Sequence, residues 1–248
     1  MRQLWTAVAV LALTGCATTA PVPLGGRLDF ESSVAHSWGR RGADRDIPQG
    51  TPRPAGAGPA EPLDAPAGAR GTVITVAQKL VGQRRTVIRG HAWGDDCTGL
   101  VRGVYAQVGV DLMTSAAKGD NGVTAIWRYA LSHGRVYEGG RPVAGDLVFF
   151  RDTYDLNRDG LTNDGLTHIG LVETIEDDGT VLVIHRVARG IVRYRMNLTF
   201  KDQPRSGDGR VVNDALRPPK GKEPPRLASQ LFAGYATLLP IESRLASR

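Results

Sequence analysis

Cys97 sits in the run WGDDCTGLVRGVYAQVG, with two aspartates before it and an apolar helical stripe after it. Asp95 or Asp96 can cap that helix, which places Cys97 in its first turn. There the unsatisfied N–H groups and the helix dipole favour a thiolate over a thiol. Gly94 and Gly99 leave room for another backbone, or a substrate, to approach. A thiolate nucleophile needs a base, and two histidines are placed to serve. His168 opens the strand-like run HIGLVE and His185 closes TVLVIH, with a turn around Asp177-Asp178-Gly179 between them. Antiparallel parity then puts both imidazoles on one face, two or four residues out of direct opposition. Cysteine, base and polar orienter make the arrangement used in nucleophilic acyl transfer.

A second constellation lies between the strand-like run ending at Phe150 and His168. Asp155, Asn157, Asp159 and Gly160 reproduce the D-x-N-x-D-G opening of a calcium loop, and the Leu161 carbonyl is placed to add a ligand. Position twelve of such a loop is normally a bidentate acid, and here it is Leu166. Asn163, Asp164 or Asp152 would have to complete the shell. A polar insertion with turn residues is the competing reading. The cation expected here is structural, and the thiol chemistry itself requires no cofactor.

The elements that must carry these groups can be read from periodicity. Val73, Val76, Ala77 and Leu80 space like one face of a helix. Leu100, Val101, Val104, Tyr105 and Val108 form a second stripe ending at Gly109. A third helix runs near Val123 to Ser132, with Asn121 as its cap and Gly134 as its stop. Then the period changes. Leu147–Phe150, His168–Thr174, Thr180–His185 and Ile191–Arg195 read as strands. Helices first and strands afterwards predict an α+β domain, with N-terminal helices packed on an antiparallel sheet.

The chain has 248 residues, with 31 Lys plus Arg against 25 Asp plus Glu. Residues 71–200 are close to neutral, so nucleic acid is not an expected partner, and a monomer is expected. Two cysteines exclude a disulfide-stapled scaffold and a cysteine-built zinc module. Residues 1–15 read as a signal peptide with a short apolar core from Leu4 to Leu13. Leu13-Thr14-Gly15-Cys16 resembles the bacterial lipoprotein box, which implies lipidation of Cys16. Ala17 after that cysteine implies an outer-membrane anchor facing the periplasm of a Gram-negative envelope. Residues 16–70 hold eight of the fifteen prolines and read as a tether. The domain then spans 71–248, with a core at 73–195, a basic loop at 201–226 and a C-terminal apolar element at 227–241.

Four segments in order carry a family resemblance across roughly Val73 to Arg195. Asp96-Cys97-Thr98-Gly99-Leu100-Val101 resembles the DCSGLV segment of the NlpC-type, papain-like cysteine peptidases. Gly145-Asp146-Leu147-Val148-Phe149-Phe150 resembles their GDLVFF strand. Thr167-His168-Ile169-Gly170-Leu171-Val172 resembles their HVGIY segment, and Val183-Ile184-His185 their third catalytic strand. The resemblance implies a papain-like fold and cleavage of an amide in peptidoglycan stem peptides. It makes Cys97 the nucleophile, His168 the base and His185 its orienter. His91 stands where the family carries a tyrosine, so His91 and Asp96 are candidates for contacting substrate or oxyanion. The alternatives are a thiol amidase or acyltransferase on another acyl substrate, and a calcium-ordered, non-catalytic cell-wall-binding lipoprotein.

Overall fold

The computed structural model describes residues 68–241. The signal peptide, Cys16 and nearly all of the expected tether lie outside the described residues. Three helices come first: α1 (Ala69–Leu80), α2 (Cys97–Ala106) and α3 (Gly122–His133), with a two-stranded hairpin of β1 (Val87–Ile88) and β2 (His91–Ala92) between the first two. The strands follow: β3 (Arg135–Tyr137), β4 (Leu147–Arg151), β5 (Leu166–Ile175), β6 (Val181–Val187) and β7 (Gly190–Met196). The chain closes through β8 (Ala215–Arg217), β9 (Arg226–Leu227), the short helix α4 (Ala228–Leu231) and β10 (Phe232–Thr237). This is an α+β fold.

The six-stranded sheet has the order β3-β10-β4-β5-β6-β7, antiparallel at every pair. Both of its faces are covered. Leu147, Phe149, Ile169, Leu171 and Ile184 meet the apolar stripes of α1, α2 and α3, including Val73, Leu100, Val104 and Ile126. On the opposite face Val148, Phe150, Val172 and Val183 pack with Leu216, Ala228 and Leu231. Double coverage is why β4 reads LVFF with no polar alternation: all four residues are buried. The apolar run at 227–241, legible as helix or strand, supplies a turn of helix and then a strand. That strand lies between β3 and β4 rather than at an edge. The expected basic loop, 201–226, contains β8 and covers part of the second face.

The helix starts follow the expected chemistry. Asp96, not Asp95, caps α2, its Oδ1 accepting the Gly99 N–H at 2.6 Å. Asn121 caps α3 by accepting the N–H groups of Val123 and Thr124. The close backbone approach read from the glycines is present: a Cβ on Gly99 would stand 1.9 Å from the Gly94 carbonyl oxygen. Only glycine lets the incoming loop pass that close to the helix bearing Cys97.

One boundary needs correction. The tether reading ran to residue 70, but Ala69 and Arg70 are buried in α1. Arg70 donates from Nη1 to Asp146 Oδ1 at 2.8 Å and to the Ala144 carbonyl, while Nε and Nη2 donate to the carbonyls of Pro240 and Leu239. Asp146, fully buried, also accepts from Tyr137 Oη, the Val143 N–H and Thr237 Oγ1. A buried charge tolerates such a position only when paired and fully hydrogen-bonded. Here one ion pair ties the first helix, the start of β4 and the segment after β10 together.

Candidate active site

The sheet opens where the three candidate groups meet. The β5–β6 ladder runs from Ile175↔Val181 to Leu171↔Ile184 and goes no further, although both strands continue. In the continuation of that register His185 faces Gly170, and His168 lies one diagonal step away. The expected offset of two or four residues is therefore two. His168 Nε2 and His185 Nδ1 are 2.8 Å apart, with both rings buried.

Gly170 makes this approach feasible. A Cβ there would lie 2.5 Å from Val183 Cγ1 and 3.2 Å from His185 Cβ. The ring of His185 is held from its other side by Tyr194 on β7, edge to face at 4.3 Å between centroids. Its Nε2 is buried with no hydrogen-bond acceptor. Either ring can donate in this contact; in the tautomer suited to base catalysis His168 Nε2–H donates to His185 Nδ1. That leaves His168 Nδ1 as the nitrogen with a free lone pair.

Cys97 enters the gap from the start of α2. The main-chain N–H groups of Ile169, Cys97 and Thr98 lie on the side of Cys97 where they favour its thiolate. The Ile169 donor comes from the stretch of β5 that β6 no longer pairs. Cys97 and His168 line one small pocket with Asp96, Tyr154, Thr167 and Arg186, and Val187 and Ala188 close its side. Cys97 and His168 thus share a pocket, and His185 reaches His168 from outside its lining.

The electrostatics differ from what the helix start alone predicts. Burial pushes the Cys97 thiol up to about 12, and the charge of Asp96 adds to the effect. The three N–H donors oppose this and lose. Burial also lowers His168 to about 4, against a smaller raising effect of Asp96. His185 falls well below the usual histidine range because it is buried beside His168. The resting pair across neutral pH is accordingly a thiol and a neutral imidazole, not the thiolate expected from the helix dipole.

The other expected site residues are distributed unevenly. Asp96 lines the pocket, but its Oδ1 is occupied by the Gly99 N–H and by Thr98 Oγ1 at 2.8 Å. A charged carboxylate donates no hydrogen bond, so Asp96 is a cap and a local negative charge rather than an oxyanion donor. His91 is exposed on β2, edge-on to Trp93 at 5.0 Å, and does not line the pocket. Tyr154 and Arg186 do line it and were not singled out from sequence. Tyr154 is a lone tyrosine in a polar loop, and Arg186 is one of many arginines. Only proximity to Cys97 distinguishes them.

The loop after β4 folds on itself. Asp155 accepts from the N–H groups of Asp159 and Gly160, Asn157 Oδ1 from Asp159, and Asp159 Oδ1 from Leu161. Asp164 Oδ1 accepts the Asn157 N–H, and its Oδ2 is buried without a partner. Burial raises the Asp164 carboxyl, and the charges of Asp155 and Asp159 raise it further. The Leu161 side chain and Asn163 are exposed. Among the described residues, no group of three or more His, Cys, Asp or Glu side chains is arranged to hold a metal ion.

Comparison with known proteins gives one match. Residues 87–186, less than half of the chain, match the family model of the CHAP domain, a peptidoglycan hydrolase-type domain. The matched stretch begins at β1, ends at Arg186, and contains Cys97, His168 and His185. The family matched is CHAP and not the NlpC type that the motifs resemble, and the two agree on a cell-wall hydrolase of amide bonds as the coarse class. No curated protein and no solved structure matches the chain.

Proposed function

We propose that the chain is a cell-envelope thiol hydrolase that cleaves an amide bond in peptidoglycan, with Cys97 as nucleophile, His168 as base and His185 as orienter. The observation that carries the reading is that His168 shares a pocket with Cys97 at a helix start while its Nε2 lies 2.8 Å from His185 Nδ1. The match of residues 87–186 supports the substrate class.

The chemistry follows from the geometry. Cys97 Sγ attacks the carbonyl carbon as its proton passes to His168 Nδ1, giving a tetrahedral oxyanion. The C–N bond breaks, and the amine leaves with that proton. Water then attacks the thioester, with His168 again taking the proton, and the carboxylic acid and free thiol are released. His185 holds His168 in one tautomer throughout. Main-chain N–H groups at the start of α2 are the donors nearest the developing oxyanion. A bound carbonyl would displace water from the pocket and draw proton transfer within the neutral pair, so no resting thiolate is required.

The test is to incubate purified peptidoglycan with the full chain and with Cys97→Ala, and to identify products by mass spectrometry. We expect new peptide fragments with the active chain and none with the variant. Release of whole stem peptides identifies an amidase; cleavage within the peptide identifies an endopeptidase. Peptidoglycan left intact by both overturns the proposal. Lipidation of Cys16 and an outer-membrane location belong to the same proposal, supported by the lipoprotein-like box at residues 13–16.

A structural calcium ion belongs to the same proposal. Asp155, Asn157, Asp159 and Asp164 would have to draw together to hold it, since the acidic side chains are not so arranged here, with the Leu161 carbonyl and Asn163 adding oxygens. Asp164, half-buried with its Oδ2 enclosed and two like charges nearby, is the group that such an ion would neutralise. No catalytic step runs through it. Calcium is expected to raise the melting temperature of the EDTA-treated chain by several degrees, and Asp159→Ala to remove the rise. An unchanged melting temperature in the parent chain would count against the ion.

A further inference from the structure

The proton between His168 Nε2 and His185 Nδ1 can sit on either ring, and only one arrangement leaves His168 able to act as a base. In that arrangement His185 is protonated at Nε2 and presents Nδ1 as an acceptor. In the other, His185 Nδ1–H donates, His168 keeps its own proton on Nδ1, and no lone pair is left for the thiol proton. The choice turns on His185 Nε2, which is buried with no hydrogen-bond partner. β5 and β7 flank β6, so His168 and Tyr194 meet His185 from opposite neighbouring strands. With Nδ1 turned to His168, Nε2 is turned away from it. The group packed on the ring from β7 is Tyr194, edge to face, with centroids 4.3 Å apart and planes at 66°. Tyr194 is itself braced: Arg189, in the turn between β6 and β7, donates from Nη2 to Tyr194 Oη at 3.3 Å, and its Cζ lies 5.6 Å from the ring centre.

We propose that Tyr194 is a positioning residue that selects the Nε2–H tautomer of His185, and through it the base form of His168. The proposal deepens the hydrolase reading and rests on it for the use made of the His168 lone pair. The reason is the ring quadrupole, negative on the face and positive at the edge. An N–H pointed at the face is attracted, whereas a nitrogen lone pair there is repelled. No oxygen competes for Nε2, so a preference of roughly tenfold is enough to decide the tautomer. Burial, with His168 and Arg189 beside it, holds His185 well below the usual histidine range. The ring is therefore neutral near pH 7, and the two forms differ only in which nitrogen carries the proton.

The test reads the tautomers directly in the full chain carrying Cys97→Ala, so that it does not depend on turnover. Histidine is labelled with nitrogen-15, long-range proton–nitrogen correlation spectra are recorded at pH 7, and His168→Gln and His185→Gln assign the two rings. Both rings are expected to be neutral and protonated at Nε2, with His185 in that form by about ten to one. Tyr194→Met fills the space without a π face and should bring the two forms of His185 to about one to one. Tyr194→Phe keeps the ring and should restore the parent pattern, which a residue serving only to fill space would not require. Tyr194→Leu serves if the methionine variant does not fold.

A His185 protonated at Nδ1 in the parent, an Nε2–H preference that survives removal of the ring, or a phenylalanine variant that behaves like the methionine one would each overturn the proposal. If the tautomer follows Tyr194 while the chain with Cys97 intact leaves peptidoglycan uncut, the hydrolase reading fails and the positioning role stands. If peptidoglycan is cut and the tautomer ignores Tyr194, the reverse holds.

Discussion

Native Cys97 is expected to react with iodoacetamide at pH 8 at least about fiftyfold more slowly than the same thiol in the urea-unfolded chain. The reasoning sets two effects against each other. Raising the thiol from 9.0 to about 12 cuts the thiolate fraction about a thousandfold at this pH. A more basic thiolate is a better nucleophile, which returns roughly twentyfold. Burial of Cys97 in the pocket slows access further. The rate in the native chain should keep rising tenfold per pH unit beyond pH 9, where the unfolded chain levels off. Peptide mapping separates Cys97 from Cys16. A plateau below pH 8 would show a preformed thiolate and sink the neutral-pair account.

The same electrostatics set two pH windows. His168 titrates at about 4 when folded and near 6.5 when unfolded, so between those values the unfolded chain binds more protons. Its contribution to stability is present above pH 6.5 and is lost as pH falls through about 4. Cys97 acts at the other end: its contribution is present below pH 9 and is lost as pH rises through about 12. Hydrolysis, which needs His168 unprotonated, should gain its acid limb near pH 4 rather than near 6.5.

Asp146→Ala is expected to destabilise the fold by roughly 3–5 kcal/mol, the usual cost of stripping one partner from a buried ion pair. The Arg70 guanidinium, with 9% of its side chain exposed, would be left as an uncompensated buried charge. Tyr137, the Val143 N–H and Thr237 would also each lose an acceptor. Urea denaturation measures the loss. A drop below about 1 kcal/mol would mean that water or local rearrangement replaces the carboxylate. A double variant, Arg70→Met with Asp146→Leu, should recover much of the loss, because it removes both charges at once.

Local chemistry was legible in the chain, and long-range chemistry was not. The caps at Asp96 and Asn121, the helical stripes and the strand runs are set by residues within a few positions of each other. The facing of His168 and His185 was also readable, since parity across one hairpin depends only on turn position. The Arg70–Asp146 pair joins groups 76 residues apart, and no spacing rule links them. Insertion of β10 between β3 and β4 is equally remote from local pattern. The error over the thiol has the same origin: the helix dipole is visible at Asp96-Cys97, but the burial that outweighs it comes from elements distant in sequence. Arg186 and Tyr154 were missed because nothing in their own neighbourhoods marks them.

The Arg70–Asp146 pair also gives the domain a near end and a far end. It sits where β4 begins, whereas Phe150, paired with His168, lies four residues along that strand, about 13 Å away. The chain preceding Gly68 therefore joins the domain at the opposite end of the sheet from Cys97. A pull applied through that N-terminal side would load the buried pair first, before any force reached the end of the sheet that carries His168.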